Sequence, residues 1–216
     1  YKYYWNSGRV EVKSAYFHER QNYFLESYTS NGNPVSQMNT LNKSDVFRQI
    51  ADLQQDLFKS WKLYAKIQWD SENVTSTDYD NDYDYDLGRK KRNILSFYAV
   101  VDGNIYRDLD LRLTLRNDIV SRDVTPVASQ RNEIAVQSNG FKSAGFFPTA
   151  TLVYRMPFVK GLSFNAGYSH NYRNPTLNDL YWNPGGNENL KGEDGKTVDF
   201  DINYLYENVN FNLDFR

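Results

Sequence analysis

The chain has 216 residues, 25 Lys and Arg against 27 Asp and Glu, a formal net charge of −2 and no cysteine. Disulfide frameworks, cysteine-ligated zinc and thiol nucleophiles are excluded, and the near-balanced charge argues against a nucleic-acid binder, which carries a basic surplus. Mean hydropathy is −0.74 and no run approaches the ~18 apolar residues of a membrane helix, yet 16% of the residues are aromatic, with 18 Tyr and 13 Phe.

Disordered chains are poor in aromatics, so a folded chain is expected, of a kind that places rings at an interface. Its dominant pattern has period two. Alternation predicts strands over 1–5, 9–24, 44–58, 61–75, 91–105, 109–121, 145–156, 162–172, 196–206 and 209–216. Trp61, Leu63, Ala65, Ile67 and Trp69 share one parity, with Lys62, Tyr64, Lys66 and Gln68 on the other. Leu109, Leu111, Leu113 and Leu115 alternate with Asp110, Arg112, Thr114 and Arg116. Later segments repeat this with Phe164, Ala166 and Tyr168, with Val198, Phe200 and Ile202, and with Phe211, Leu213 and Phe215. Successive side chains of a strand point to opposite faces, so each segment has one apolar and one polar face. The weakest segment is 44–58, where Val46 and Ile50 leave the apolar parity and permit a helical reading.

Connections alternate between short and long. Asn6-Ser7-Gly8, Lys59-Ser60, Tyr106-Arg107-Asp108, Pro157 to Gly161 and Glu207-Asn208 are short; 26–43, 76–90, 122–144 and 173–195 are long and polar. Tight turns at one end and long loops at the other mark an outer-membrane β-barrel. A soluble β-sandwich also alternates, but these strands run about 10–15 residues against a globular mode of about 5–6, and a tilted spanning strand needs about 9–11. From Trp61 to Trp69, eight steps of ~3.3 Å give ~26 Å along the strand, or roughly 20 Å after tilt, near the ~25 Å apolar band of such barrels. The fold class expected is therefore all-β, an antiparallel meander of about ten long strands forming part of a transmembrane β-barrel. A plugged transporter barrel has about 22 strands, which at the same spacing needs roughly 480 residues. The chain is read as a slice of such a barrel over 1–216, carrying neither plug domain nor signal peptide.

The segment from Tyr168 to Tyr206 carries a more specific pattern. Arg173, Pro175, Thr176, Asp179, Leu180 and Tyr181 are followed by Gly186, Asn187, Leu190, Lys191 and Glu193. This order resembles the late-barrel segment of TonB-dependent outer-membrane receptors, in a style similar to vitamin B12 and siderophore receptors. Gly192 stands where the family often has proline. The resemblance implies a bacterial outer-membrane location and contact with outer-membrane lipid. It also implies a plug domain, a TonB-type energy-transducing complex, and uptake of a scarce ligand such as cobalamin, an iron–siderophore or haem. For the motif itself, a pinned loop and direct ligand contact through Tyr181, Trp182 and Asn183 both stand.

Asp78, Asp80, Asp82, Asp84 and Asp86 share one parity within the 76–90 loop. Calcium takes several oxygen ligands from flexible loops, so Asp80, Asp82 and Asp84 are candidate calcium ligands; a solvated acidic strand extension is the alternative. No other cofactor is expected. His18 and His170 are far apart and form no metal motif, and the parity of His170 suggests an interfacial side chain. No nucleophile elbow, P-loop, dinucleotide fingerprint or His-Glu-x-x-His is present, so no catalytic residue and no enzyme activity are expected. A carbohydrate-binding or adhesion β-protein, or a porin-like barrel without energy coupling, are the alternative functions.

Overall fold

The computed structural model describes residues 1–28, 30–32, 34–58, 60–78, 85–125, 137–181, 187, 189–206 and 209–216. Ten strands and one short helix occupy them: β1 (Lys2–Trp5), β2 (Gly8–Tyr28), β3 (Pro34–Phe58), β4 (Trp61–Asp78), β5 (Tyr85–Tyr106), β6 (Leu109–Thr125), β7 (Gln137–Arg155), β8 (Leu162–Arg173), α1 (Leu177–Tyr181), β9 (Glu193–Tyr206) and β10 (Val209–Phe215). All ten strands form one sheet in chain order, each antiparallel to the last, with β1 and β10 at its edges. The all-β meander expected from alternation is the fold.

Segment 44–58 is strand throughout; it pairs with β2 on one side and β4 on the other. Ladder bonds on both sides override the weak helical periodicity. The long connections are shorter than polarity suggested. β2 runs to Tyr28 and β3 begins at Pro34, while β4 runs to Asp78 and β5 begins at Tyr85. Beyond the membrane both faces of a strand meet water, so alternation disappears although the ladder continues. Polarity there marks the end of the lipid, not the end of the strand.

Register turns the single-strand patterns into one surface. Val10, Leu53, Ala65, Ala99, Leu115 and Pro148 face one another from β2 to β7. Leu111, Leu152, Ala166, Phe200 and Phe215 do so from β6 to β10. The exposed large apolar side chains on this parity include Val12, Tyr16, Phe47, Ile67, Trp69, Phe97, Leu113, Leu152, Phe200 and Leu213. Soluble monomers seldom expose an apolar patch beyond ~300–600 Å², and this one crosses the whole sheet. It is the lipid face.

Buried residues are of a different kind. Among the described residues, the apolar ones are Leu41, Val74, Phe147, Leu177 and Leu180, and the polar ones include Asp70, Arg92, Ser96, Asp118 and Ser121. Most sit toward the long-loop end of the sheet, on the luminal parity or in the β8–β9 connection. At the opposite end, Gly161 closes the β7–β8 turn with φ of 86° and accepts a hydrogen bond from Leu205 N–H at 2.9 Å. A side chain there would overlap the Leu205 carbonyl.

The two faces predict opposite responses to charge. Ala99→Arg, on the lipid face near the bilayer midplane, is expected to cost about 2–4 kcal/mol, whereas Val100→Arg, which faces the lumen, should stay within about 1 kcal/mol. Reversible urea unfolding of the full-length receptor into lipid vesicles measures both.

Candidate functional site

The β8–β9 connection folds inward across the lumen. β8 pairs with β7 only as far as Ser169 and continues to Arg173 without it. The freed end swings over the luminal face. Tyr172 stacks on Phe147 with centroids 4.7 Å apart and planes 5° from parallel, and His170 meets the same ring edge-on at 5.2 Å. His170 is therefore packed against a buried phenyl ring, with Nε2 2.6 Å from Asp194 Oδ1, rather than facing lipid as its parity suggested. Strand parity stops predicting direction once the strand leaves its partner.

The motif residues then build α1. Thr176 and Asp179 form a reciprocal capping box: Asp179 N–H donates to Thr176 Oγ1 at 3.1 Å and Thr176 N–H donates to Asp179 Oδ2 at 2.7 Å. Five residues are too few for an isolated helix. Burial supplies the rest, since Leu177 and Leu180 are 5% and 1% exposed, worth about 1.5–3 kcal/mol each. Arg173 lies 3.8 Å from Asp179 and 3.7 Å from Glu193, tying the two ends of the connection together. The Asp179 carbonyl accepts Asn187 N–H at 3.0 Å, and the Asn187 side chain accepts Asn189 N–H at 3.0 Å. Leu190 N–H donates to the Asn187 carbonyl at 3.1 Å, and the Leu190 side chain is exposed. Gly192 has a local reason as well: a Cβ there would overlap the Tyr172 phenol, which its stacking on Phe147 holds in place.

One guanidinium fastens this lid-like connection to the sheet. Arg92 of β5 is 5% exposed. It donates from Nε to Glu72 Oε2 at 2.8 Å and from Nη2 to the same oxygen at 2.5 Å, while Nη1 donates to the Pro175 carbonyl. From β8 to β5 is three strand spacings, ~14 Å at ~4.8 Å each, so the connection crosses the concave face to reach it.

Two fork-to-fork pairs flank the clamp. Arg48 donates to both oxygens of Asp70 at 2.7 and 2.9 Å. Arg116 donates to both oxygens of Asp118 at 3.0 and 2.5 Å, and Asp118 is 0% exposed. Arg116 is thus locked under the connection, while Arg112 makes the solvated ladder pair with Asp102 that its parity suggested.

Under α1 lies a cavity of about 190 Å³ lined by residues that include Glu19, Gln21, Asn42, Ser44, Glu72, Arg92, Thr176 and Leu177. The amide nitrogen of Asn42 and the hydroxyl of Thr40 are buried and have no hydrogen-bond partner. Ligand sites usually measure ~300–1,000 Å³, so this cavity is smaller than a usual ligand pocket.

Of the candidate ligand residues, Tyr181 ends α1, whereas Trp182 and Asn183 lie outside the described residues, as do Gly186 and the candidate calcium ligands Asp80, Asp82 and Asp84. Among the described residues no cluster of three metal-ligating side chains occurs. Arg92, Glu72, Asn42 and Leu177 were not singled out from the sequence. The signal available for Arg92 was its luminal parity opposite Glu72; nothing local points to a partner 83 residues away in sequence.

A family model described as TonB dependent receptor-like, beta-barrel matches residues 1–215. The chain belongs to this family. Its members are bacterial outer-membrane proteins, receptors and transporters rather than enzymes. Among solved structures the chain is similar to the copper transporter OprC, at TM-score 0.69 and 14% identity over 95% of this chain and 34% of that one. It is similar to the ferric-catecholate import receptor Fiu of E. coli K12, at TM-score 0.57 and 12% identity over 92% and 36%. The ferric yersiniabactin uptake receptor FyuA of Yersinia pestis gives TM-score 0.52 and 14% identity over 99% and 33%. No individual curated protein matches it by sequence. The chain spans about a third of the length of these receptors.

Two measurements test the site. Arg92→Leu leaves Glu72 without its cation and the Pro175 carbonyl without its donor; stranding one partner of a buried pair costs about 3–5 kcal/mol. Hydrogen exchange across 174–192 in the full-length receptor should accelerate at least tenfold, with Arg92→Lys intermediate because lysine cannot fork. Asp179 is held below the usual carboxylate range, first by the Thr176 backbone N–H and then by the Thr176 side chain, against an opposing effect of burial, with smaller help from the Arg173 and Arg92 cations. Its contribution is complete above the unfolded value of ~3.9 and is lost as pH falls through the lower folded value. Carbon-detected titration should place the Asp179 midpoint below ~3.9, and Thr176→Val should raise it.

Proposed function

We propose that this chain is the barrel portion of an outer-membrane receptor that takes up a scarce, metal-bearing ligand from outside the cell. Cobalamin, an iron–siderophore and haem are the cargo classes that fit the reading. The plug domain and the TonB-type energy-transducing complex are the partners it requires. The observation that carries it is the inward fold of the β8–β9 connection. Arg92, the capping box and two buried leucines hold this segment over the lumen, where it narrows the outer mouth of a polar channel. A receptor gains a shaped rim against which a large ligand can be held.

The cavity under α1 supports the same reading, because the Asn42 amide is a buried donor without a partner on its wall. The receptors named above are designated for copper or ferric cargo, which makes metal complexes the class to test first. Calcium bound by Asp80, Asp82 and Asp84 in the 76–90 connection, and ligand contact by Tyr181, Trp182 and Asn183, belong to the same proposal.

The test is growth and uptake. A strain lacking its own receptors and carrying the full-length gene is supplied with radiolabelled cobalamin, ferric siderophores or haem. Accumulation of one class, abolished when the energy-transducing complex is deleted, is the expected outcome. Uptake that survives that deletion points to an uncoupled pore and overturns the reading. Binding of sugars without any metal-complex uptake overturns it in favour of an adhesion protein.

A further inference from the structure

The cavity beneath α1 has a wall whose hydrogen bonding is incomplete. Asn42 of β3 is 6% exposed, lines the cavity, and its amide nitrogen has no partner. A buried donor left unmade costs the full desolvation of the group, so an orphan on a cavity wall marks where something else accepts. One water takes up about 30 Å³, whereas the cavity measures about 190 Å³. The space suits a short ligand arm rather than one solvent molecule.

The groups around Asn42 decide what kind of arm. Glu72 of β4 uses one oxygen, Oε2, for both of its Arg92 bonds, at 2.8 and 2.5 Å. Its Oε1 accepts no hydrogen bond among the described residues. Glu19 of β2 accepts the Gln21 amide at 2.5 Å through one oxygen and keeps the other open. The register sets Glu19 opposite Ser44 and Glu72 opposite Val46. The two carboxylates therefore stand on either side of β3, on the luminal face that Asn42 shares.

This wall offers one donor and two open carboxylate oxygens. An anionic arm would meet both carboxylates, and the cation on the wall, Arg92, is already turned to Glu72 and the Pro175 carbonyl. An ammonium or guanidinium arm would leave the Asn42 donor unmet. A primary carboxamide matches the wall: its oxygen accepts, and its nitrogen carries two hydrogens to give.

We propose that the cavity seats a primary carboxamide arm of the transported complex, with Asn42 donating to the amide oxygen and Glu19 and Glu72 accepting from the amide nitrogen. The assignment rests on the receptor reading and narrows it to cargo rimmed by amides rather than by carboxylates. Glu19 and Thr176, both exposed, form the mouth through which the arm enters.

The experiment exchanges amide for acid on two unlike metal macrocycles. Cyanocobalamin, its monocarboxylic acids, haemin and haemin bis-amide are each titrated by calorimetry into the full-length receptor in detergent. Binding should follow the rim and not the ring. Each amide form should bind about tenfold or more tightly than its acid form, the worth of one buried hydrogen bond to a charged group. Asn42→Leu should remove that preference. It should also leave the urea midpoint of the ligand-free receptor unchanged or higher, because it removes an unpaired buried donor. Glu19→Gln, at an exposed position, should fold and reduce the preference by about threefold. Equal affinity for amide and acid forms overturns the proposal, as does failure of both amide forms to bind. A lowered urea midpoint in Asn42→Leu with the preference intact assigns the donor to a plug side chain or to ordered water, and overturns it too. None of these outcomes touches energy-dependent uptake, which alone decides the receptor reading.

Discussion

A lipid bilayer offers no hydrogen-bond partner to a peptide group. Every N–H and C=O between the two aromatic belts must be satisfied by the neighbouring strand, and this single requirement sets the form of the molecule. It explains why ten strands pair with their sequence neighbours without exception, and why a chain of mean hydropathy −0.74 nevertheless carries a continuous apolar surface. Only every second residue meets lipid. The others face a wet interior, and they are free to be Arg, Asp, Lys and Asn.

That freedom is used unevenly. Toward the turn end, the luminal charges make exposed ladder pairs such as Arg112 with Asp102, which contribute little individually. Toward the outer end, the same kinds of residue are buried. Asp118 and Arg92 would be costly there on their own, and they are tolerated because the Arg116 fork completes Asp118 while Glu72 and the Pro175 carbonyl complete Arg92. The burial comes from the chain itself, since the β8–β9 connection lies over them. Among the described residues only five apolar side chains are buried, and the buried set centres on a polar network roofed by Leu177 and Leu180.

The outer surface divides in the same way. Apolar side chains and then aromatic rings follow one another up a single parity of the sheet, matching acyl chain and interface in turn. One strand repeat of two residues thus writes two independent surfaces, and each has its own solvent.

Alternation and the rhythm of short and long connections were enough to specify the all-β class, the ten-strand meander and the two faces, because these depend on local parity and on the lipid, which acts on every strand alike. The motif from Arg173 to Glu193 was legible as a unit, and its spacing of Thr176 and Asp179 already held the capping box. What the sequence could not supply was where that unit goes. The contact of Arg92 with Pro175 spans three strand spacings of the sheet, and the stacking of Tyr172 on Phe147 joins a strand end to a neighbour it no longer pairs with. They exist only once curvature brings the concave face around and β8 leaves its partner. Strand ends beyond the membrane were missed for a related reason: with water on both sides the pattern vanishes, and only the ladder to the next strand shows that the structure continues.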